Sequence, residues 1–165
     1  MQSIRVSKEL NDCPHFSTFT VKNWYYIFDR HNRWNILLNS LKYCQDKKGL
    51  KIYAFVFMLN HIHIIVQSPD MIGFIRDYKR YTSIELIKNI KSTEPSVASL
   101  FKQDNDSYSI WRPGNSSKVV ETDKYFRQKK EYIENNPVRK RYIIKPQDWL
   151  YSSAHVPCLL EIEQV

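Results

Sequence analysis

Apolar residues follow two rhythms along this chain, one alternating or continuous over short runs and one recurring every three to four positions. "HFSTFTVKNWYYIF", 15–28, is rich in β-branched and aromatic residues and predicts a strand, with a turn at Lys22-Asn23. "RWNILLNSLKYCQDK", 33–47, sets Ile36, Leu37, Ser40, Leu41 and Cys44 at helical spacing, and Gly49 follows as a helix stop. "KIYAFVFML" and "HIHIIVQS" are two extended runs. Leu59-Asn60 lies between them, where Asn suits a turn or bulge, so they predict adjacent strands. Over 71–91, Ile72, Ile75, Tyr78, Thr82, Leu86 and Ile90 line one helix face, while Lys79, Arg80, Lys88 and Lys91 fall on others. Residues 92–107 read as loop and "YSIWRPG", 108–114, as a short strand closed by Pro-Gly. The later part of 116–136 reads as a helix that Pro137 ends or kinks. A polar lead-in over 1–13 and a tail of mixed character complete the chain. The order strand, helix, strand, strand, helix, strand, helix predicts an α+β fold: a small antiparallel sheet with helices packed on one face.

Composition narrows the function classes. A chain of 165 residues is one domain by size and buries a core without help from disulfides or metal. Lys and Arg number 25 against 17 acidic residues, a net charge of +8, which favours a polyanion: nucleic acid first, an anionic membrane surface second. Only three glycines are present, so no Gly-rich phosphate loop is available. Cys13, Cys44 and Cys158 are odd in number and widely spaced, unlike a disulfide framework or zinc knuckle. No apolar run at the start resembles a signal peptide and none elsewhere is long enough to span a bilayer, so the expected compartment is a reducing cytoplasm and no membrane role is expected.

Two histidines stand out. His61 and His63 lie one residue apart in an extended run, hence on one strand face, with Ile62, Ile64 and Val66 on the other. Imidazoles so placed can share one metal ion, or can be a hydrogen-bonded pair at the edge of the core. A histidine-triad hydrolase needs a third His where this chain has Ile65. A structural zinc site needs Cys or carboxylate partners that are not nearby in sequence. The second unusual stretch is "YFRQKKEYIENNPVRKRYI", 125–143. Tyr132 and Asn136 are four residues apart, on one face of a helix, among Arg127, Lys129, Lys130, Arg139, Lys140 and Arg141.

Together, "MLNHIHIIVQSP", "YIENNPVRKRYI" and "DWLYSSA" resemble the single-tyrosine HUH transposases of the IS200/IS605 type, most of all the REP-associated tyrosine transposases. That branch reads Met-x-Asn-His-x-His, filled here by Met58, Asn60, His61 and His63. Its second motif is filled by Tyr132, Ile133, Asn136, Pro137 and Val138. "RDYKRYTS", 76–83, is similar to the helix between the two motifs. The resemblance covers about residues 15–156 of a single transposase domain spanning 1–165.

The resemblance implies a ferredoxin-like sheet backed by helices and a metal-dependent cut in one DNA strand beside a hairpin. Tyr132 would be the nucleophile, and His61, His63 and Asn136 would hold a divalent ion, Mg²⁺ or Mn²⁺. The implied partner is single-stranded or hairpin DNA, taken by a monomer or a homodimer. Candidate backbone contacts are Lys79, Arg80, Arg112, Lys129, Lys130, Arg139 and Arg141, with exposed aromatics such as Trp111 expected to stack on unpaired bases. Two other readings compete: a hairpin-binding protein of this fold that does not cut, and a hydrolase of small phosphate esters built on the two histidines.

Overall fold

The computed structural model describes residues 6–114 and 116–165. Its strands are β1 (His15–Thr20), β2 (Lys51–Phe57), β3 (His61–Gln67) and β4 (Ser116–Val119). Its helices are α1 (Arg33–Lys48), α2 (Met71–Thr93), α3 (Pro95–Ala98), α4 (Asp123–Glu134) and α5 (Asn136–Arg139). The sheet order is β2-β3-β1-β4 and every neighbouring pair is antiparallel. With α1 between β1 and β2 and α2 between β3 and β4, this is the β-α-β-β-α-β arrangement of ferredoxin-like folds.

Local chemistry sets the element ends. Gly49 adopts φ 67°, and its N–H caps α1 by donating to the Cys44 carbonyl. The Asp70 carboxylate accepts from the Gly73 N–H at 2.9 Å and starts α2. Thr122 does the same for α4 through the Tyr125 N–H. The first strand stops at Thr20 rather than running to 28, because a tight turn over Lys22–Trp24 interrupts it, with Asn23 at φ 55°. That is where Lys22-Asn23 predicted a turn.

Both faces of the sheet are covered, not one. Phe19, Phe55, Phe57, Ile62, Ile64 and Val66 pack with Leu37, Leu41, Tyr78, Leu86 and Ile90 of α1 and α2. On the opposite face Phe16, Ala54, Val56, Met58 and Ile65 meet Ile133 of α4. This explains the unbroken apolar run in β2, whose interior residues face a core on either side. A register shift between Ile52 and Ala54 puts Tyr53 and Ala54 on the same side. The tail covers the free edge of β2: Phe57 N–H donates to the Tyr151 carbonyl and Ser153 N–H to the Phe55 carbonyl, both at 2.9 Å.

Further expectations change. The segment 92–107 holds α3 and a short turn of helix over Ser99–Phe101. The last strand lies at Ser116–Val119, whereas 108–114 is extended with isolated bridges, Tyr108 to Lys102 and Trp111 to Val21. Trp111 is 4% exposed and donates its indole N–H to Thr82 Oγ1 at 3.0 Å, so it is core and not a stacking surface. Of the α2 face, Ile75, Tyr78, Thr82, Leu86 and Ile90 are buried, and Ile72 is exposed. Residues 1–5 of the lead-in lie outside the described residues, and Lys8–Leu10 form a turn of 3-10 helix. No helix among the described residues is long and apolar enough to cross a membrane.

Candidate active site

Strand alternation sends His61 and His63 to the α4 side of the sheet, opposite Ile62 and Ile64. Their rings lie 4.7 Å apart, centroid to centroid, nearly perpendicular. The face carrying them also carries Phe16 and Thr18 of β1, and Thr18 is the cross-strand partner of His63.

Each imidazole is held through Nδ1. His63 Nδ1 is 2.8 Å from Thr18 Oγ1, and His61 Nδ1 is 2.7 Å from Asn60 Oδ1. The Asn60 amide has a defined orientation, because its Nδ2 donates to the Trp24 carbonyl at 3.0 Å. Its Oδ1 therefore accepts, so His61 carries its proton on Nδ1. That leaves the Nε2 lone pair of neutral His61 available as a ligand. Both rings resist protonation. Burial, with Lys140 nearby, lowers His61 to about 4; burial, with His61 and Lys129 nearby, lowers His63 to about 3.

Helix α4 crosses this face through Ile133, and Tyr132 beside it enters the site. The Tyr132 ring lies 5.2 Å from the His63 ring and 6.2 Å from Phe16. The helix does not run unbroken to Asn136. Asn135 takes φ −89°, ψ 0°, and α5 opens at Asn136, because Pro137 has no N–H to continue the ladder. The chain keeps its helical course, with Arg139 N–H bonded to the Asn135 carbonyl, so Asn136 follows Tyr132 by about one turn. Asn136 is 5% exposed, and its Oδ1 is buried without a hydrogen-bond partner. An orphaned buried amide oxygen is costly unless something binds it. Among the described residues no three His, Cys, Asp or Glu side chains gather as a metal site. Two neutral imidazoles and one neutral amide oxygen fit a hard or borderline divalent ion that keeps open positions for phosphate oxygens.

The basic candidates divide by place. Lys129 Nζ sits over the rings of Phe16, Tyr125 and Tyr132, 4.9, 5.3 and 5.5 Å from their centroids. The Arg139 guanidinium lies 5.1 Å from the Tyr132 ring, so cations flank the tyrosine. Lys130 pairs with Glu134 at 3.9 Å, and Arg141 is exposed in a left-handed turn after α5. Lys79 and Arg112 are separate from these. They line a recess of about 240 Å³ with Thr18, Thr20 and Ser116, and Lys79 Nζ donates to the Arg112 and Gly114 carbonyls. Arg80 is exposed on α2. Asn60 belongs to the histidine motif, but the roles of Asn60 and Thr18 in orienting the histidines are not visible in sequence, since Thr18 meets His63 across the sheet and the Trp24 carbonyl orients Asn60.

A ferredoxin-like sheet bearing two histidines on one strand, with a tyrosine helix laid across them, is the frame of a DNA-processing HUH domain. Residues 13–136 match the family model described as "Transposase IS200 like", and the chain belongs to that family of DNA transposases. A Haemophilus influenzae protein of uncharacterised function is 24% identical over 156 residues, covering 83% of this chain and 84% of that protein. A second H. influenzae protein, described as a REP-associated tyrosine transposase, is 25% identical over 112 residues, covering 66% of this chain and 61% of that protein. Among solved structures, a REP-associated tyrosine transposase bound to a REP hairpin superposes with a TM-score of 0.69 at 18% identity, covering 93% of this chain and 82% of that one.

Proposed function

We propose that this chain is a metal-dependent single-strand DNA endonuclease and strand transferase that nicks beside hairpins through Tyr132. One observation carries the reading: the Tyr132 ring is 5.2 Å from that of His63, on the face that also presents His61. In the step proposed, Tyr132 Oη attacks a backbone phosphorus in line with the departing 3′ oxygen. The O–P bond to tyrosine forms, the bond to the 3′ oxygen breaks, and the phenol proton passes in net to that oxygen. The products are a 5′-phosphotyrosine and a free 3′-OH, and another 3′-OH can reverse the step and join strands.

His61 Nε2, His63 Nε2 and Asn136 Oδ1 would hold Mg²⁺ or Mn²⁺. When bound, such an ion supplies positive charge that polarises the scissile phosphate. The flanking cations, Lys129 and Arg139, favour entry of a phosphate beside Tyr132. Hairpin DNA is the proposed substrate because the structurally similar transposase is bound to a REP hairpin and this chain carries +8 net charge. The test is cleavage of end-labelled hairpins with single-stranded flanks. The reading expects cutting with Mn²⁺ and none with EDTA or in Tyr132→Phe. A Tyr132→Phe protein that cuts as well as the parent defeats it.

A further inference from the structure

Trp111, the indole that sequence offered for base stacking, is buried, and a different one is exposed. Trp24 is 58% exposed, a large apolar side chain standing in solvent. Its backbone is in the left-handed region at φ 55°, as is that of Asn23 before it. For a bulky residue this conformation is strained and persists only where the surroundings impose it. One such contact is a hydrogen bond to its backbone: the Trp24 carbonyl accepts from Asn60 Nδ2, and Asn60 Oδ1 in turn orients His61. The Trp24 backbone is thus held one side chain away from a candidate metal ligand.

Its surroundings suit a nucleotide. The Arg112 guanidinium lies 4.4 Å from the Trp24 ring centroid, supporting the indole and adding positive charge beside it. Tyr26, 56% exposed, follows on the same segment. Tyr142, 41% exposed, comes from the loop after α5; its phenol is raised by partial burial and by the neighbouring Tyr26 and Asp29. Exposed aromatic rings from two separate segments therefore gather on the surface that carries the Arg112 guanidinium, the composition of a surface for unpaired nucleic acid.

We infer that Trp24 is a stacking platform for one unpaired base of the strand entering the site, with Arg112 holding the indole from beneath. Trp24 is then a positioning residue that sets which phosphate lies beside Tyr132. The inference rests on the proposed single-strand nicking function and adds the residue that fixes register. Because the Asn60 bond uses the Trp24 backbone carbonyl, truncating the side chain leaves the donor–acceptor pair to His61 intact.

The experiment pairs a protein change with a DNA change. A fluorescent hairpin with a single-stranded flank is bound in EDTA by parent, Trp24→Ala and Trp24→Phe, each against a set of DNAs with one abasic site stepped along the flank. In the parent, one abasic position is expected to weaken binding about 5- to 100-fold, the scale of one base–aromatic stack. In Trp24→Ala the intact DNA should bind that much more weakly, and the abasic site should add no further loss. Trp24→Phe should retain most of the affinity. Equal additional loss from that abasic site in parent and Trp24→Ala overturns the inference while leaving the nicking function standing. A parent that fails to bind any flanked hairpin overturns both. Thermal melting of Trp24→Ala within a few degrees of the parent shows that the loss is not unfolding.

Discussion

Asn136→Leu separates a metal ligand from an ordinary buried amide, because the two roles predict opposite signs of effect in different buffers. Leu is close to Asn in shape and has no polar atom to bury. In the metal-free protein the Asn136 Oδ1 is enclosed and lacks a partner, a defect that costs about 1–3 kcal/mol. Replacing it with an apolar group should leave stability in EDTA unchanged or raise it by about 1 kcal/mol, despite the usual loss on core substitution. With Mn²⁺ the order should reverse. A ligand that binds only the folded state stabilises by RT ln(1 + [L]/Kd), about 2.7 kcal/mol at a hundred times Kd. The parent should gain this and Asn136→Leu should gain little. The assay is urea denaturation of both proteins in EDTA and across a Mn²⁺ series, followed by tryptophan fluorescence. Refutation is clear: Asn136→Leu less stable in EDTA by more than 1 kcal/mol, with a Mn²⁺ gain equal to that of the parent.

Other outcomes follow from the same geometry. Asn60→Ala releases the Nδ1 proton of His61 from its acceptor and should weaken Mn²⁺ binding about 10- to 100-fold by direct titration; unchanged affinity would show that His61 needs no orienting partner. Acidification should destabilise the metal-free protein. The unfolded chain takes up protons below about pH 6.5, whereas folded His61 and His63 do so only near 4 and 3, so stability present above pH 6.5 is lost as pH falls through that window. The slope is on the order of 1 kcal/mol per pH unit for each ring, read by denaturation at pH 7, 6 and 5, and it should flatten in the double variant His61→Gln/His63→Gln. Lys129→Met should keep the hydrophobic stem over Phe16 and slow single-turnover cleavage about 100-fold with little change in melting; equal rates would remove the ammonium from the reaction. Arg141→Ala should lower the slope of log affinity against log salt by about 0.7–0.9 if it meets a phosphate.

The parts of this fold legible in sequence are those governed by short-range pattern. The α1 and α2 periodicities, the Gly49 stop and the paired runs either side of Leu59-Asn60 depend on neighbours within a few residues, and the elements sit where the pattern places them. What sequence hid depends on contacts distant along the chain. β4 is four residues long and half exposed, and its partner is β1, about a hundred positions earlier. The continuous apolar run of β2 fits a second covered face of the sheet, but the covering helix lies about seventy-five residues later. Trp111 and Trp24 look alike in a sequence; one is buried by Phe19, Phe28 and Thr82, and the other is turned outward by a left-handed backbone. Within the candidate site, spacing and resemblance point to His61, His63, Tyr132 and Asn136. The hydrogen bonds by which Thr18 and Asn60 hold the imidazoles, and the unpartnered oxygen of Asn136, are visible only in three dimensions.

The central claim is that Tyr132 becomes covalently joined to DNA. Mass spectrometry of peptides recovered after reaction with a flanked hairpin and Mn²⁺ tests it most directly. The account predicts a nucleotide phosphate on the peptide containing Tyr132, dependent on Mn²⁺ and absent after His63→Ala. Cut DNA with an unmodified Tyr132, or an adduct on any other residue, would contradict it.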